Sequence, residues 1–524
     1  MKASDLFAKA LQNEGVSHIF GIPGEETIDL LDSISRTEIQ FIVTRHEQGA
    51  AFMADAYGRV SRRPGVCLST LGPGATNLVT GVANAQLDHS PVVAITGQAS
   101  RDRLHKESHQ NVDTISLFSG ITKYNRSVIV PESIPEIVRK AFFSSTWPQP
   151  GASHIQLPED VARMECDEIP MLPVSDLTIY EANGNLVRQA AKLINMSKNP
   201  VIIGGNGIIR NEAWLAVRDF VEASRIPFVS TFMAKGILPY DHDRNLFVVG
   251  GRPFEKSLRP LIASDLVIAI GFDMVEYDPA IWNKDSTRKI VNIDITHSEL
   301  DEHFPVEYDL VGNMAITLNI LKKHVERRKD TSIHDEIRKR RKEMFDKPGD
   351  GIEKIPKQIM KTLTDLSDQK TMVISDVGLH KVWVSRYYQP AFADRTIIYN
   401  GFASMGASLP ASIAVDMARP GMDIVAVSGD GGFLMNVQEL ETAHRLNSNF
   451  TVIVFNDGRY SLIEKKEIES GMIPHYIEFT NPDFELLARS FHCTHYYVER
   501  GEDFKEQFMA ARKENGVKII EVKI

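Results

Sequence analysis

The chain has 524 residues, a hydrophobic fraction of 43%, a charged fraction of 24% and a net charge of −10. This length predicts two to four domains, and the composition is typical of globular proteins. The acidic balance, without a long basic stripe, and the lack of an apolar run long enough for a bilayer argue against nucleic-acid and membrane partners.

The N-terminal segment predicts a helix that is capped near Ser4 and ends at Gly15. It does not resemble a signal peptide, because charged side chains interrupt it at Asp5, Lys9 and Glu14. The cysteines are widely spaced and form neither a disulfide pattern nor a metal-binding pattern: Cys67, Cys166 and Cys493. We therefore expect a cytoplasmic protein.

Short apolar runs alternate with amphipathic helical stretches through most of the chain. The strand-like runs lie at 65–70, 91–96, 200–205, 265–270, 371–376, 423–428 and 450–455. Each is followed by a Gly-rich or Asn/Asp turn and then by helical periodicity. This pattern is typical of parallel sheets covered by helices on both faces, so it predicts an α/β fold of doubly wound sheets.

Two segments are predicted to connect domains. Residues 166–182 carry prolines and little periodicity, and residues 322–355 are dense in charge. We interpret the basic clusters of the second segment as a solvated helix and linker rather than a binding tail. Three α/β domains result, at about 1–165, 183–325 and 355–524.

The segment 423–458 is the most informative one. A strand is predicted to end at Ser428, and a helix is predicted from about Phe433 to Leu446. Between them lies the turn Gly429-Asp430-Gly431-Gly432, and a second strand ends at Asn456, 26 positions after Asp430. Two strands joined by one helix can be neighbours in a doubly wound sheet, and ligands bind at their carboxyl ends.

These residue types suit Mg²⁺ with a diphosphate. Asp430 and Asn456 supply side-chain oxygens, and the backbone carbonyl near Gly458 supplies a third. Mg²⁺ is commonly held by one or two protein side chains, with phosphate oxygens and water completing the shell. The glycines allow close backbone approach, and a helix start provides free N–H groups. The short turn alone is more typical of an ordinary tight loop, but its strand–helix–strand context favours the ligand site.

The spacing of GDG and Asn resembles the signature of the thiamine-diphosphate enzyme superfamily. That superfamily also has a glutamate that bonds the aminopyrimidine ring of the cofactor and promotes loss of the C2 proton. RHEQGAAFMADAYGR (45–59) resembles the glutamate motif and places Glu47 in that role. Without this setting, a lone glutamate would be interpreted as a surface residue.

Further stretches resemble other cofactor-binding segments of the superfamily. LGPGATN (71–77) resembles the turn beside the pyrimidine, and DVGLHKVW (376–383) resembles a phosphate-contacting loop. NGFASMGASLP (400–410) resembles the segment that bends the cofactor, with an apolar side chain wedged between its two rings. The cofactor contacts implied are Glu47, Pro23, Pro73, Thr76, Asn77, His380, Ala403, Met405, Gly429, Asp430, Gly431, Gly432, Asn456, Gly458 and Tyr460. A structural histidine and a core methionine are the alternatives for His380 and Met405.

Nearly the whole chain is similar to the acetolactate synthase group, especially its catabolic type. Supporting stretches include GIPGEE (21–26), GASHIQLPEDV (151–161) and VNIDITHSELDEHF (291–304). The resemblance implies decarboxylation of pyruvate and transfer of the hydroxyethyl unit to a second pyruvate, which gives 2-acetolactate. It places Gln110 beside the substrate as a catalytic residue, with His109 next to it as a structural candidate.

The central domain poses the question of a flavin. PVIIGGNGIIR (200–210) has glycines at 205 and 207, but Arg210 stands where a dinucleotide fingerprint needs its third glycine. Biosynthetic relatives bind FAD in this domain and catabolic ones do not. We therefore expect no FAD.

Two departures from the group leave the acceptor substrate open. Lys465 and Lys466 stand where relatives usually carry an aromatic residue or Gln, and the sequence ends at EVKI without the short tail of many relatives. Because lysines are rarely buried, we expect the pair to face solvent. A simple 2-oxo acid decarboxylase or another carboligase is the main alternative, followed by a non-catalytic homologue and a flavin oxidase.

The resemblance also implies an oligomer. Glu47 lies in the first predicted domain and Asp430 in the third, and in this superfamily those domains meet across a dimer interface. We expect a homodimer or homotetramer with active sites between chains.

Overall fold

A computed structural model describes residues 1–174, 180–250, 255–329, 332–342 and 347–524. The chain divides into two compact units. The first comprises Met1–Asp176, Gly401–Tyr496 and Ala511–Glu521, and the second Leu177–Asn400, Tyr497–Ala510 and Val522–Ile524. This division does not test the three predicted domain boundaries, which stay predictions.

The first segment of the chain builds a sheet of six strands. Its strands are β1 His18–Gly21, β2 Gln40–Val43, β3 Gly65–Ser69, β4 Val92–Gln98, β5 Tyr124–Ser127 and β6 Ala152–Pro158. Its helices are α1 Ala3–Asn13, α2 Ile28–Ser35, α3 Glu47–Ser61, α4 Pro73–Leu87, α5 Thr114–Ser119, α6 Ile134–Thr146 and α7 Glu159–Arg163.

The central segment builds a second six-stranded sheet. Its strands are β7 Pro200–Gly204, β8 Phe228–Ser230, β9 Asn245–Val248, β10 Leu266–Ile270, β11 Lys289–Asp294 and β12 Val306–Val311. Its helices are α8 Gly184–Met196, α9 Asn206–Arg210, α10 Trp214–Ser224, α11 Glu255–Ile262, α12 Pro279–Trp282, α13 Met314–His324 and α14 Ser332–Arg341. Alternate residues of β7 enter cores on opposite faces, with Ile202 in one and Val201 and Ile203 in the other.

The last segment builds the third sheet. Its strands are β13 Thr371–Ser375, β14 Thr396–Ile398, β15 Asp423–Gly429, β16 Phe450–Asn456, β17 Thr494–Val498 and β18 Val517–Lys523. Its helices are α15 Lys354–Leu366, α16 Leu379–Tyr387, α17 Ser408–Ala418, α18 Asp430–Met435, α19 Glu439–Arg445, α20 Ser461–Glu469, α21 Phe484–Ser490 and α22 Phe504–Ala511.

All three sheets are parallel, which confirms the predicted α/β fold. The first sheet has the order β2-β1-β3-β4-β6-β5 and the third has the order β14-β13-β15-β16-β18-β17. These two orders are the same topology, whereas the central order β12-β11-β10-β7-β8-β9 is that of a dinucleotide-binding sheet. The order of each sheet reverses at a switch point, where ligands bind at the carboxyl ends of strands.

Three local predictions were wrong in detail. The first is the N-terminal cap, since α1 begins at Ala3 and Ser4 lies buried within it. Lys2 N donates to Asp5 Oδ2 at 3.2 Å, and this bond closes the N-terminus of the helix. Ser33 Oγ donates instead to Ser4 Oγ at 2.9 Å. Burial of a small hydroxyl against a neighbouring helix has replaced the predicted capping role.

The second is the helix predicted from Phe433 to Leu446, which is broken into α18 and α19. At the break, Asn436 Nδ2 donates to Gly406 O at 2.9 Å and is buried. The tertiary bond to a backbone carbonyl replaces continuation of the helix. The helix also starts earlier than predicted, at Asp430 itself, and β15 extends one residue further, to Gly429.

The third is the basic segment 322–355, interpreted as a solvated helix and linker. Arg338 and Lys339 of α14 are exposed, as interpreted, but Ile337 is 2% exposed and Arg340 is 5% exposed, so the other face of this helix is packed. Arg340 Nη1 donates to Leu246 O at 3.4 Å. Arginine stems readily cover apolar surface, which a charge count alone does not reveal. Within the described residues, no helix combines the length and hydropathy needed to cross a membrane.

Candidate active site

Asp430 lies where β15 ends and α18 begins, and its side chain is 2% exposed. Its Oδ1 accepts a hydrogen bond from Gly431 N at 2.8 Å. Its Oδ2 accepts one from Gly458 N at 2.7 Å, which follows the neighbouring strand β16. The predicted meeting of these two strand ends is therefore present, and the carboxylate is held by backbone donors that leave further lone pairs for a cation.

Asn456 lies at the end of β16 with its amide oxygen facing the same point as Asp430. One donor, Nδ2 of Asn481, reaches both Asp430 Oδ2 at 2.7 Å and Asn456 Oδ1 at 2.9 Å. The Oδ1 atom of Asn481 is buried and makes no hydrogen bond. A single neutral N–H₂ donor thus bridges the two oxygens, and the Asn481 oxygen beside them is a further acceptor.

This donor set fits Mg²⁺ with a diphosphate. It offers one carboxylate and one amide oxygen, hard ligands of the kind Mg²⁺ prefers when phosphate oxygens complete its shell. The described residues contain no group of three His, Cys, Asp or Glu side chains able to hold a metal ion alone. Phosphate oxygens and water would complete the shell around the Asp430 and Asn456 oxygens.

The third predicted ligand, the carbonyl of Gly458, is part of a short antiparallel pairing. Gly458 O accepts from Phe479 N at 2.9 Å, and Tyr460 N donates to Ile477 O at 2.8 Å. The Tyr460 and Phe479 rings lie 4.9 Å apart, and a Cβ added to Gly431 would be 3.0 Å from Tyr460 Cε1. This pairing positions the segment that contains Asn481, and Gly431 leaves room for the rings.

The segment containing Ala403 and Met405 has unusual backbone geometry. Ala403 has a φ of 56°, and both residues are half-buried. Gly401 N donates to Asp88 Oδ1 at 2.6 Å, which anchors the start of the segment. Non-glycine residues rarely adopt such a φ without a surrounding structure that enforces it, and they concentrate at functional sites.

Glu47 is the first residue of α3 and is 8% exposed. His46 caps this helix, since its Nδ1 accepts from Gln48 N at 3.1 Å. Asn77 Nδ2 donates to Glu47 Oε2 at 2.9 Å, so these two predicted site residues are in contact. A Cβ added to Gly74 would lie 3.3 Å from Glu47 Oε1. The LGPGATN turn therefore packs directly against the carboxylate.

The other predicted contacts near this turn are more exposed. Pro73 begins α4, and Thr76 Oγ1 donates to Pro73 O at 2.9 Å within the same turn. Pro23 lies exposed in the loop after β1. Gln110 is exposed with a φ of 56°, and a Cβ added to Gly72 would be 2.4 Å from Gln110 O. The structure thus brings Gln110 to the turn beside Glu47.

A buried glutamate that sequence reasoning missed connects α19 to the start of α3. Glu439 Oε1 accepts from Arg45 N at 3.1 Å and from His46 N at 3.0 Å, and Glu439 Oε2 accepts from Thr442 Oγ1 at 2.7 Å. Burial raises the pKa of the Glu439 carboxyl. A Cβ added to Gly49 would be 2.6 Å from its Oε1, so the glycine permits the contact.

His380 lies in the first turn of α16, in the second compact unit. It is 4% exposed, and its Nε2 is buried without a hydrogen-bond partner. Burial lowers the pKa of His380 to about 3, so its imidazole is neutral. Lys235 Nζ closes the other end of α16 by donating to Val384 O and Ser385 O, each at 2.8 Å, and also to Tyr388 O. A buried, unpartnered nitrogen on an anchored helix suits the predicted ligand contact.

The lysine pair lies on α20, just beyond Tyr460. Lys466 is exposed, as expected for a solvent-facing residue, while Lys465 is half-buried. The solvent interpretation thus holds for one lysine and only partly for the other.

The carboxyl edge of the central sheet is filled by the protein's own side chains. Asn206 N, at the start of α9, donates to Glu276 Oε2 at 2.8 Å, and Thr231 Oγ1 donates to Glu276 Oε1 at 2.7 Å. Arg210 forms a two-bond ion pair with Asp273, at 2.5 and 2.9 Å. A carboxylate thus occupies the N–H group that a dinucleotide pyrophosphate would use.

Two residues of the third sheet region were missed for different reasons. Asn481 precedes a proline and reads as a turn residue, and nothing in the sequence connects it to Asp430. Glu521 lies on β18 next to β16, and its Oε1 accepts from Asn456 Nδ2 at 2.6 Å. An acidic residue near the carboxyl end of a parallel strand is a signal that could have been used.

Comparisons with known proteins match three consecutive parts of the chain. Residues 1–117 match the thiamine pyrophosphate enzyme N-terminal TPP binding domain, residues 187–321 the central domain and residues 376–522 the C-terminal TPP binding domain. The residues discussed above in the first and third sheets lie within the two cofactor-binding matches.

Full-length relatives agree. An acetolactate synthase of Bacillus subtilis is 33% identical over 100% of this chain and 93% of the relative. A catabolic acetolactate synthase of Raoultella terrigena is 31% identical over 99% of this chain and 94% of the relative. A probable acetolactate synthase large subunit of Methanocaldococcus jannaschii is 32% identical, covering 100% and 92%. With three matched domains and such relatives along its whole length, the chain belongs to the acetolactate synthase family of thiamine pyrophosphate enzymes.

Proposed function

We propose that the protein is a thiamine-diphosphate- and Mg²⁺-dependent acetolactate synthase. It converts two pyruvates and one proton into 2-acetolactate and CO₂. The observation that carries the metal-binding part of this proposal is the convergence of Asp430 and Asn456 oxygens on one point between adjacent strand ends. The family membership of the whole chain supports the reaction.

When bound, thiamine diphosphate supplies the electron sink for the carbanion left by loss of CO₂. Asp430 and Asn456 would hold the magnesium ion, with the Gly458 carbonyl as a third protein ligand. Gly429, Gly431 and Gly432 let the backbone approach the phosphates. His380, a neutral donor when its Nε2 carries the proton, binds a phosphate oxygen.

Glu47 acts on the pyrimidine ring. Its Oε2 is held by Asn77 at 2.9 Å, so the carboxylate is oriented and Oε1 is directed at the LGPGATN turn. From there it would bond a ring nitrogen of the bound cofactor and so support loss of the cofactor's C2 proton. Low exposure strengthens this bond, because few water molecules compete for it. Gln110 would orient the substrate, and Met405 with the Ala403 backbone would hold the cofactor rings.

Product analysis tests the reaction. The protein is incubated with Mg²⁺, thiamine diphosphate and pyruvate, and CO₂, 2-acetolactate and proton uptake are measured. We expect one CO₂ to be released and one proton to be consumed for each acetolactate formed. Acetaldehyde as the sole product would identify a decarboxylase. A second incubation adds another 2-oxo acid, and a condensation product with that acid in place of acetolactate would identify a different carboligase. No CO₂ from pyruvate would refute pyruvate as the donor.

We further propose that each active site takes Glu47 from one chain and Asp430 from another. A mixture of Glu47→Gln and Asp430→Ala chains tests this. Random reassociation makes half of the dimers mixed, and one of the two sites in each mixed dimer is intact. About a quarter of wild-type activity should therefore return. Sites formed within one chain would give no recovery.

We also propose that turnover needs no FAD. The support is the Glu276 carboxylate on Asn206 N and the crowding at Gly205, where a Cβ would lie 2.3 Å from Gly271 O. The Glu276 carboxyl group already uses the N–H donor that a pyrophosphate oxygen would need. Purified protein should lack flavin absorbance and turn over without added FAD. A yellow protein with about one flavin per chain would contradict this.

The free state of Cys67, Cys166 and Cys493 supports the cytoplasm as the compartment.

A further inference from the structure

A chain of three polar side chains runs away from the metal site across three neighbouring strands. Asn456 ends β16, Glu521 lies on β18 and His495 lies on β17, in the spatial order β16-β18-β17. Asn456 Nδ2 donates to Glu521 Oε1 at 2.6 Å, and His495 Nε2 lies 3.1 Å from Glu521 Oε2. The side chains of His495 and Glu521 are 11% and 13% exposed.

The bonds fix every orientation in this chain. A carboxylate oxygen only accepts, so the proton of the His495 contact is on Nε2, and the Asn456 atom facing Glu521 must be the nitrogen. The amide oxygen of Asn456 consequently faces Asp430. The rotated amide would turn its N–H₂ group toward the cation and its oxygen toward the Glu521 carboxylate, and both contacts would be repulsive.

Asn481 does not hold Asn456 in the same way. Its amide hydrogens point at the two oxygens that would bind the cation, so a bound cation would repel these hydrogens. The bond from Asn456 to Glu521 uses the other end of the amide and is compatible with a bound cation. Hydrogen-bond partners behind a metal ligand commonly set its orientation, and loss of such a partner typically costs about 10- to 100-fold in metal affinity.

We propose that Glu521 is a positioning residue of the metal site: it fixes the Asn456 amide so that the oxygen faces Mg²⁺, and His495 fixes Glu521. The proposal rests on the proposed function, since it concerns the same metal site. It assigns Glu521 no contact with the cofactor or substrate.

The test measures Mg²⁺ affinity rather than turnover. Mg²⁺ is titrated into full-length protein with saturating thiamine diphosphate, and cofactor binding is followed by calorimetry. Glu521→Ala should weaken the apparent Mg²⁺ affinity about 10- to 100-fold. Glu521→Gln should recover most of it, because its carbonyl oxygen still accepts from Asn456. His495→Gln should have a smaller effect than Glu521→Ala.

A double substitution separates orientation from general destabilisation. Asn456→Asp offers an oxygen in either orientation, so it should restore Mg²⁺ binding in the Glu521→Ala background. In the presence of Glu521, the same change should weaken binding, because two carboxylates would face each other. The two opposite effects of one substitution are specific to a positioning role.

Lys518→Met is the matched control on the same strand. Lys518 is 3% exposed and its Nζ donates to Asn449 Oδ1 at 2.6 Å, far along β18 from Asn456. It should lower the melting temperature without changing Mg²⁺ affinity. Wild-type affinity in Glu521→Ala, or no rescue by Asn456→Asp, would overturn the inference. Wild-type protein that binds thiamine diphosphate without Mg²⁺ would instead refute the proposed metal function.

Discussion

The carboxyl edges of the third and central sheets have opposite chemistry. At the third sheet, Asp430 and Asn456 present oxygens whose hydrogen-bond partners among the described residues are N–H donors. At the central sheet, Glu276 bonds the N–H of Asn206 and Arg210 pairs with Asp273. Both edges belong to doubly wound parallel sheets, in which this edge is the usual place for a ligand.

The difference shows that fold and edge do not by themselves make a binding site. The third edge has oxygen acceptors that can bind a cation. The central edge already contains a paired anion and cation, Asp273 and Arg210. A pyrophosphate at the central edge would have to displace the buried Glu276 carboxyl group from Asn206 N. The comparison predicts that substitutions at the third edge alter ligand binding, while those at the central edge alter stability.

Removal of Asp430 should have the largest effect. Loss of even a supporting partner costs about 10- to 100-fold in metal affinity, so Asp430→Ala should weaken cofactor binding at least about 100-fold. Asn456→Ala should behave similarly. Calorimetric titration of thiamine diphosphate with Mg²⁺ measures this. Asp423→Asn, at the other end of β15, is the control and should bind normally. Near-normal binding by both active-site variants would disprove the metal assignment.

Glu47→Gln should separate binding from chemistry. The amide fills the same space, so cofactor should bind, but it cannot stabilise the protonated pyrimidine nitrogen. Turnover should fall about 10²- to 10⁴-fold, the usual contribution of a positioned acid–base group. Exchange of the cofactor C2 proton, followed by NMR, should slow in parallel. Glu38→Gln, an exposed acid before β2, should change neither rate. Unchanged exchange in Glu47→Gln would remove Glu47 from the mechanism.

The sequence predicted those parts of the site that depend on strand ends and local motifs. Asp430 and Asn456 follow buried apolar runs, and parallel strands bring such ends together. Asn481, Glu439 and Glu521 were not predicted, because each reaches the site through a contact distant in sequence. The break at Asn436 follows from one bond to Gly406, which helical periodicity cannot reveal.

The repeated topology of the first and third sheets also went unpredicted. Their strand orders are identical, yet no short sequence repeat marks them. In the first sheet the turn at 71–74 follows β3, and in the third the turn at 429–432 follows β15, the corresponding strand. Strand order depends on burial pattern and connection handedness, which unrelated residues can satisfy equally well.

At the central edge, Arg210→Met should destabilise the fold. The substitution removes the cation that pairs with the buried Asp273, whose side chain is 5% exposed. Removal of one member of a buried ion pair should lower the free energy of unfolding by about 3–5 kcal/mol. Denaturant unfolding measures this loss. Arg500→Met removes a similar two-bond pair with Asp503 at the surface and should have no measurable effect. Equal stability of both variants would show that the central cluster is not held by its ion pair.

The smallest effect concerns the pH dependence of stability. Burial, with Asp273 nearby, raises the pKa of Asp294 to about 7. The folded protein therefore keeps this proton between about pH 4 and pH 7, where the unfolded chain has lost it. Unfolding releases the proton, so stability falls as pH rises through this window and the loss is complete above pH 7.

Asp294→Asn should remove that loss, because an amide is never charged and can still accept from Ile295 N, which now bonds Asp294 Oδ1 at 2.6 Å. The difference in free energy of unfolding between the variant and wild type should be about 1–2 kcal/mol larger, in favour of the variant, at pH 8.5 than at pH 5. Melting temperatures across that range give the measurement. Asp285→Asn is the control: its exposed carboxyl has a pKa lowered by hydrogen bonds from Thr287 and Arg288. It should not flatten the profile. Parallel profiles for Asp294→Asn and wild type would mean that Asp294 is already ionised in the folded protein at pH 5. The central edge would then present an ionised carboxylate, as the third edge does at Asp430.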